Sequence, residues 1–202
     1  KATDAIRASY DRLGLKYIDL FLIHFPSPNE GVTAATWKAL EEAKDSGIVR
    51  SIGVSNFMRG DLKELLENSR IKPVVNQLEI NPFNLMEEVD DFGYDNNIMT
   101  MAYSPLAKGR ALEDGKVMKI AEKYNKTPAQ IILRWAVQRD LIPIPKTKNA
   151  DRMKENLDLF DFSLTDEELE RITRIKKDSN FVKGHQEHNL GKRIGVDIRN
   201  SK

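Results

Sequence analysis

Tyr17-Ile18-Asp19-Leu20-Phe21-Leu22-Ile23-His24 is an apolar run that closes on an imidazole, and its reading decides the fold. The run is short and rich in branched and aromatic side chains, so it reads as a strand. The same arrangement recurs along the chain. Val49 to Val54 ends in Ser55 and Asn56, and Val74-Val75 leads into Asn76, Gln77 and Glu79. Ile98 to Ala102 leads into Tyr103 and Ser104, and Leu141 to Pro145 into Lys146. Helical patterns separate most of these runs. Parallel strands joined by helices, with chemistry at the strand C-terminal ends, are the mark of a barrel or a doubly wound sheet.

Between the runs, apolar residues return at helical spacing. Ile6, Tyr10 and Leu13 do so over Thr3 to Leu13, and Gly14 closes the segment. Pro26, Pro28 and Gly31 then break regularity. Thr33 or Thr36 is expected to cap a helix with Trp37, Leu40 and Ala43 on one face, ended by Gly47. Gly60-Asp61 opens a short helix carrying Leu62, Leu65 and Leu66. Thr127-Pro128 sets a cap residue before proline at the first helical position, with the helix running through Arg139. Asn149 can cap a helix from Ala150, and Thr165 with Glu168 forms a capping box ahead of Leu169, Ile172 and Ile175. From Asp178 onward the periodicity fails, so residues 178–202 read as a loop or tail. No repeat, low-complexity tract or linker divides the sequence, and residues 1–202 read as a single domain.

Composition narrows the function. At 202 residues the chain can bury one substantial core. The 32 basic and 31 acidic residues leave a formal charge of +1, so no nucleic-acid or anionic-membrane partner is expected. No apolar stretch approaches the roughly 20 residues that span a bilayer. The absence of cysteine excludes disulfides and thiolate chemistry and fits a reducing, cytoplasmic setting. No G-x-G-x-x-G stretch occurs, so no Rossmann dinucleotide turn is encoded. Gly184 and Gly191-Lys192 have the wrong spacing for a phosphate loop. His185 and His188 lie three apart, but no helical pattern orients them and no third ligand accompanies them; no metal site is expected. Asn125-Lys126-Thr127 matches a glycosylation sequon but reads better as the start of a helix.

The strand-end residues admit two readings each. His24 is either a histidine satisfied by backbone or a neutral imidazole beside a reacting carbonyl. Phe25-Pro26 turns the chain after it and lends an aromatic wall. Ser55-Asn56 is a turn, a cap or part of a site. Tyr103-Ser104-Pro105-Leu106 offers core packing or a stacking platform for a flat ring. Lys146, Thr147, Lys148 and Arg152 gather cationic and hydroxyl donors near a helix start, suited to a phosphate; otherwise they form a charged, solvated loop.

In order and spacing, five segments resemble the aldo-keto reductase family. They are Leu22-Ile23-His24-Phe25-Pro26, Ile52-Gly53-Val54-Ser55-Asn56-Phe57, Asn76-Gln77-Leu78-Glu79, Ala102-Tyr103-Ser104-Pro105-Leu106, and Ile144-Pro145-Lys146-Thr147 with Arg152-x-x-Glu155-Asn156. The resemblance runs to about Ile175. It implies an α/β fold, a (β/α)₈ TIM barrel that binds NADPH without a Rossmann turn, and reduction of a small-molecule aldehyde or ketone by hydride transfer. His24 matches the family's catalytic histidine. Ser55, Asn56 and Gln77 match the residues that bind the nicotinamide carboxamide, and Tyr103 matches the ring that stacks on it. Ser104 and Leu106 match positions along the pyrophosphate. Lys146, Thr147 and Arg152 match the group around the adenosine 2′-phosphate, with Glu155 and Asn156 near the adenine. Phe25 falls in the substrate pocket.

The resemblance also implies residues that these positions do not offer. The family places an aspartate, a tyrosine and a lysine on strands preceding the His24 strand, and no tyrosine here matches the proton donor. About five of the eight βα units can be counted, so the sequence is expected to be the C-terminal part of a reductase. Phe25 stands where many members carry tryptophan, and Asn81 where many carry histidine. A catalytically silent NADPH-binding or interaction protein is the alternative, and a Lys146 Schiff-base lyase is the third reading. Oligomeric state is not legible.

Overall fold

A computed structural model describes residues 1–175. Helices and strands alternate: α1 Ala2–Leu13, β1 Ile18–Ile23, α2 Val32–Asp45, β2 Val49–Ser55, α3 Arg59–Asn68, β3 Val75–Glu79, α4 Glu87–Asp95 and β4 Met99–Tyr103. A 3-10 segment, Ala107–Glu113, leads to α5 Gly115–Tyr124, α6 Pro128–Gln138, β5 Ile142–Ile144, α7 Ala150–Leu157 and α8 Asp166–Thr173. The strands form one sheet in the order β1-β2-β3-β4-β5. Residues 178–202, with His185, His188, Gly184 and Gly191, lie outside the described residues.

The chain divides into two compact units, the first of residues 1–78 and 87–100, the second of 79–86 and the chain from Met101 on. In the first, β1 pairs with β2 in parallel from Ile18↔Val49 to Ile23↔Val54, and β2 continues onto β3 through Val54↔Asn76 and Ser55↔Gln77. Gly53 makes this sheet possible. A Cβ there would stand 2.8 Å from a Leu22 methyl, a Val75 methyl and the Val75 carbonyl oxygen. Ile52 and Val54 are fully buried on β2, and Trp37 and Leu40 of α2 and Leu62 of α3 are buried with them. Two of the polar groups taken inside, those of Trp37 and Glu41, find backbone partners. Trp37 Nε1 donates to the Ile71 carbonyl at 2.9 Å, and the buried Glu41 carboxylate accepts from the N–H groups of Arg70 and Ile71 at 2.8 and 2.7 Å.

The capping of α2 differs from the expectation. Gly31, at φ 72°, occupies the N-cap with no side-chain bond, and both threonines lie inside the helix. Thr33 Oγ1 accepts from the Ser27 N–H at 2.9 Å and Thr36 Oγ1 donates back to the Val32 carbonyl at 2.8 Å. The proline-rich approach to the helix consumes the hydroxyl that would have capped it.

In the second unit, β4 pairs with β5 in parallel through Met101↔Ile142, Ala102↔Pro143 and Tyr103↔Ile144. α6 is buried nearly all round, with Ile131, Ile132, Leu133 and Trp135 inaccessible. Thr127 caps it as expected, and Gln130 completes a capping box: Thr127 Oγ1 accepts from the Gln130 N–H and Gln130 Oε1 from the Thr127 N–H. α8 opens on the matching box of Thr165 and Glu168. α4, the 3-10 segment and α5 are not among the helices anticipated from the apolar spacing of the sequence. Among the described residues no helix is long and apolar enough to cross a membrane.

Candidate cofactor and catalytic site

In the first unit, the ends of three neighbouring strands are tied together by two residues. His24 follows β1, Ser55 closes β2 and Gln77 lies within β3. Asn56 adopts φ 60°, the left-handed region that asparagine tolerates better than most residues. In that conformation its N–H donates to the Gln77 carbonyl at 2.9 Å, and its Nδ2 donates to the His24 carbonyl at 2.9 Å and to Ser55 Oγ at 3.1 Å. Ser55 Oγ in turn donates to the Gln77 carbonyl at 2.9 Å. The network fixes the backbone under His24 and leaves its imidazole exposed. The Phe25 ring leans on it at 4.5 Å between centroids, tilted by 46°, and is itself 59% exposed.

A cavity of about 800 Å³ lies elsewhere in this unit, between α2 and α3, where Trp37, Glu41, Phe57 and Leu65 line it. None of the strand-end residues does. Its walls come from α2, α3 and the loop of residues 26–31 that follows His24 and Phe25.

In the second unit, Tyr103 closes β4, half-buried. Burial, and after it the Glu79 carboxylate, pushes its hydroxyl above the ordinary tyrosine value, so the ring stays neutral at physiological pH. The chain then turns through uncommon backbone: Ser104, Ala107 and Lys108 have φ of 49°, 49° and 56°. The Ser104 carbonyl accepts the Ala107 N–H at 2.9 Å and the Asn81 amide at 3.4 Å, and Leu106 stands half-buried before the 3-10 segment. Asn81 is thus a support of this loop, through a contact 23 residues long that spacing alone does not reveal.

Also in the second unit, Lys146 lies two residues past β5. Asn149 caps α7 as expected, its Oδ1 accepting from the N–H groups of Asp151 and Arg152 at 2.8 and 3.0 Å. Thr147 Oγ1 accepts from the Asn149 N–H at 3.1 Å. Lys146 and Arg152 are exposed, and among the described residues neither is ion-paired. Cations held at a capped helix start without carboxylate partners suit a phosphate. Glu155 points elsewhere: its Oε1 accepts the Thr127 hydroxyl at 2.7 Å, with half-buried Asn156 beside it. That second partner of Thr127 was not visible in the sequence, where the residue reads only as a cap. Among the described residues no cluster of His, Cys, Asp or Glu is placed to hold a metal.

Parallel strands alternating with helices, polar residues at the strand ends and no glycine-rich dinucleotide turn define an α/β protein of the barrel type. Residues 1–177 match the Aldo/keto reductase family, and the chain belongs to that family. It is 42% identical to the glyoxal reductase of Bacillus subtilis over 174 residues, 86% of this chain and 62% of that protein. The solved aldo/keto reductase of Brucella melitensis superposes with a TM-score of 0.81 at 42% identity, over 86% of this chain and 66% of that one. The Bombyx mori aldo-keto reductase solved in complex with NADP gives 0.80 at 38% identity, over 89% and 67%. The fold class is therefore the family's (β/α)₈ type, with five of its strands in the described residues. The chain spans less than two thirds of the length of the curated relatives it matches, 62–64% for the first three.

Proposed function

We propose that this chain is part of an NADPH-dependent reductase that converts a small aldehyde or ketone to the alcohol. The observation that carries the reading is the Asn56-centred network, which holds His24, Ser55 and Gln77 at three adjacent strand ends. NADPH supplies the hydride when bound. The residues here hold and orient: His24 directs an N–H at the substrate oxygen, and Ser55, Asn56 and Gln77 engage the carboxamide. Tyr103 offers its neutral ring to the nicotinamide face, and Ser104 and Leu106 border the pyrophosphate. Lys146, Thr147 and Arg152 take the 2′-phosphate, and Glu155 and Asn156 border the adenine. Phe25, exposed beside His24, forms a wall for the substrate. The family match runs unbroken through residues 1–177, which supports one catalytic domain. A compact carbonyl such as glyoxal, the substrate in the name of the B. subtilis relative, is the class to try first. The cysteine-free composition suits a cytoplasmic setting.

The test joins the 202 residues to the N-terminal portion of the B. subtilis enzyme, where the resemblance places the proton-donating tyrosine. Loss of NADPH absorbance on adding glyoxal or methylglyoxal, absent without the carbonyl, is the expected result. NADPH binding with no turnover on any simple carbonyl would favour the silent nucleotide-binding alternative.

A further inference from the structure

α7 carries Arg152, Glu155 and Asn156, yet none of its eight residues is buried. Its apolar side chains face outward, Met153 at 49% and Leu157 at 74% exposure. Apolar packing therefore does little to fix its rotation about its own axis, and a helix this short has little stability of its own. The contacts that fix it are polar and come from one short stretch at the start of α6. Thr127 Oγ1 donates to Glu155 Oε1 at 2.7 Å. Gln130 Nε2 donates to the Asp158 carbonyl at 2.9 Å and to its Oδ2 at 3.2 Å. Lys126 Nζ stands 2.8 Å from Asp158 Oδ2 and 2.7 Å from Asp161 Oδ2, and is itself only 12% exposed.

We propose that Lys126, Thr127 and Gln130 are positioning residues for nucleotide binding, clamping the C-terminal half of α7 and so setting the direction in which Arg152 is presented. The inference rests on the NADPH reading and adds a part of the protein to it. Glu155 follows Arg152 by three positions, so the two share a face of the helix. A slip of α7 by one residue turns that face by about 100° and carries the guanidinium away from Lys146 and Thr147. Charge-assisted bonds to a phosphate are directional, and a misplacement of about 1 Å is enough to lose them.

The test is isothermal titration of the 202-residue chain with adenosine 2′,5′-bisphosphate and adenosine 5′-monophosphate, alongside thermal unfolding. Thr127→Asp keeps an oxygen to cap α6 but cannot donate to Glu155 and faces it with a second carboxylate. It should weaken the bisphosphate about tenfold and the monophosphate by less than about threefold. Thr127→Ser, which retains both bonds, should behave as the parent. Lys126→Met leaves the α6 cap untouched and should shift the preference in the same direction, so the test stands even where Thr127→Asp does not fold. A lowered unfolding midpoint with the bisphosphate preference intact in both variants would make the clamp merely structural and overturn the proposal. So would equal losses for the two nucleotides. If Arg152→Ala abolishes the preference while Thr127→Asp and Lys126→Met keep it, the NADPH reading stands and the clamp falls. A parent chain that binds both nucleotides alike overturns both.

Discussion

Asn56 Nδ2 donates to the carbonyl of His24 at 2.9 Å, so the residue that follows β1 is held by the residue that follows β2. The bond reaches the backbone and leaves the imidazole to its own chemistry. Position and reactivity at His24 are therefore separable. In the chain joined to the upstream segment, His24→Ala should lower kcat by about 10²–10⁴-fold while the Kd for NADPH stays within about threefold. Asn56→Ala should lower both kcat and NADPH affinity, because Asn56 holds the His24 backbone and, in the proposed reading, engages the carboxamide. Stopped-flow turnover with fluorescence titration separates the cases. Cofactor affinity that collapses in His24→Ala, with turnover at saturation unchanged, removes His24 from the carbonyl.

Gly53 has no room for a side chain. Gly53→Ala sets a Cβ against the Val75 carbonyl, which is backbone and cannot rotate aside. The strain of overpacking there should cost about 1–3 kcal/mol. Urea unfolding should show an earlier midpoint with an unchanged slope. A midpoint within error of the parent would mean that β2 and β3 separate without penalty.

Arg152→Ala should weaken NADPH binding by about tenfold and NADH binding barely, because only NADPH carries the 2′-phosphate. The guanidinium is exposed, so the effect belongs at the low end of charge-assisted bonds. Added salt should narrow the gap between the two cofactors. Calorimetry on the joined protein measures it, and equal losses for both cofactors would assign Arg152 elsewhere.

Glu168 makes stability depend on acid. Burial alone would push its carboxyl up, but bonds from Lys123 Nζ at 2.6 Å, the Thr165 N–H at 2.8 Å and Tyr124 Oη at 2.7 Å together outweigh burial. They hold it below the ordinary value of 4.5. A carboxyl whose folded value is depressed stabilises the protein above its unfolded value, and that contribution drains away as pH falls through the folded one. Glu168→Gln should therefore cost about 1–2 kcal/mol at neutral pH, and the deficit should shrink as pH drops below 4.5. Chemical unfolding across that range checks it. A deficit independent of pH would mean that shape, not charge, anchors α8 to α5.

The strands and the caps were legible because their signals are local. Thr127, Asn149 and Thr165 each bond to N–H groups two or three residues on, and the sequence shows both partners at once. α5 carried a readable signal in Val117, Ile120 and Ala121 behind an Asp114 cap, although the preceding kinked segment at Lys108 and Gly109 obscures where it begins. α4 was harder. Five acids and a glycine take six of its nine positions, and Gly93 is there for packing, since a Cβ would lie 3.1 Å from the Ile98 carbonyl. Thr33 misled because its hydroxyl answers the Ser27 N–H six residues back, not its own helix. Of the site, the residue types were readable at the strand ends, but the bonds among them were not. That Asn56 joins His24 to Gln77, or that Glu155 leans on Thr127, follows only when the sheet and the α6–α7 pairing bring distant positions together.

A helix that carries a proposed phosphate contact yet contributes no buried residue gives natural selection unusual latitude. Changes at Met153, Lys154 or Leu157 leave no cavity behind them, because these side chains fill none. If α7 holds the 2′-phosphate as proposed, nucleotide preference can drift along it without compensating substitutions in the interior. The converse holds for β2, where Gly53 admits no neighbour and inheritance is bound to a single residue.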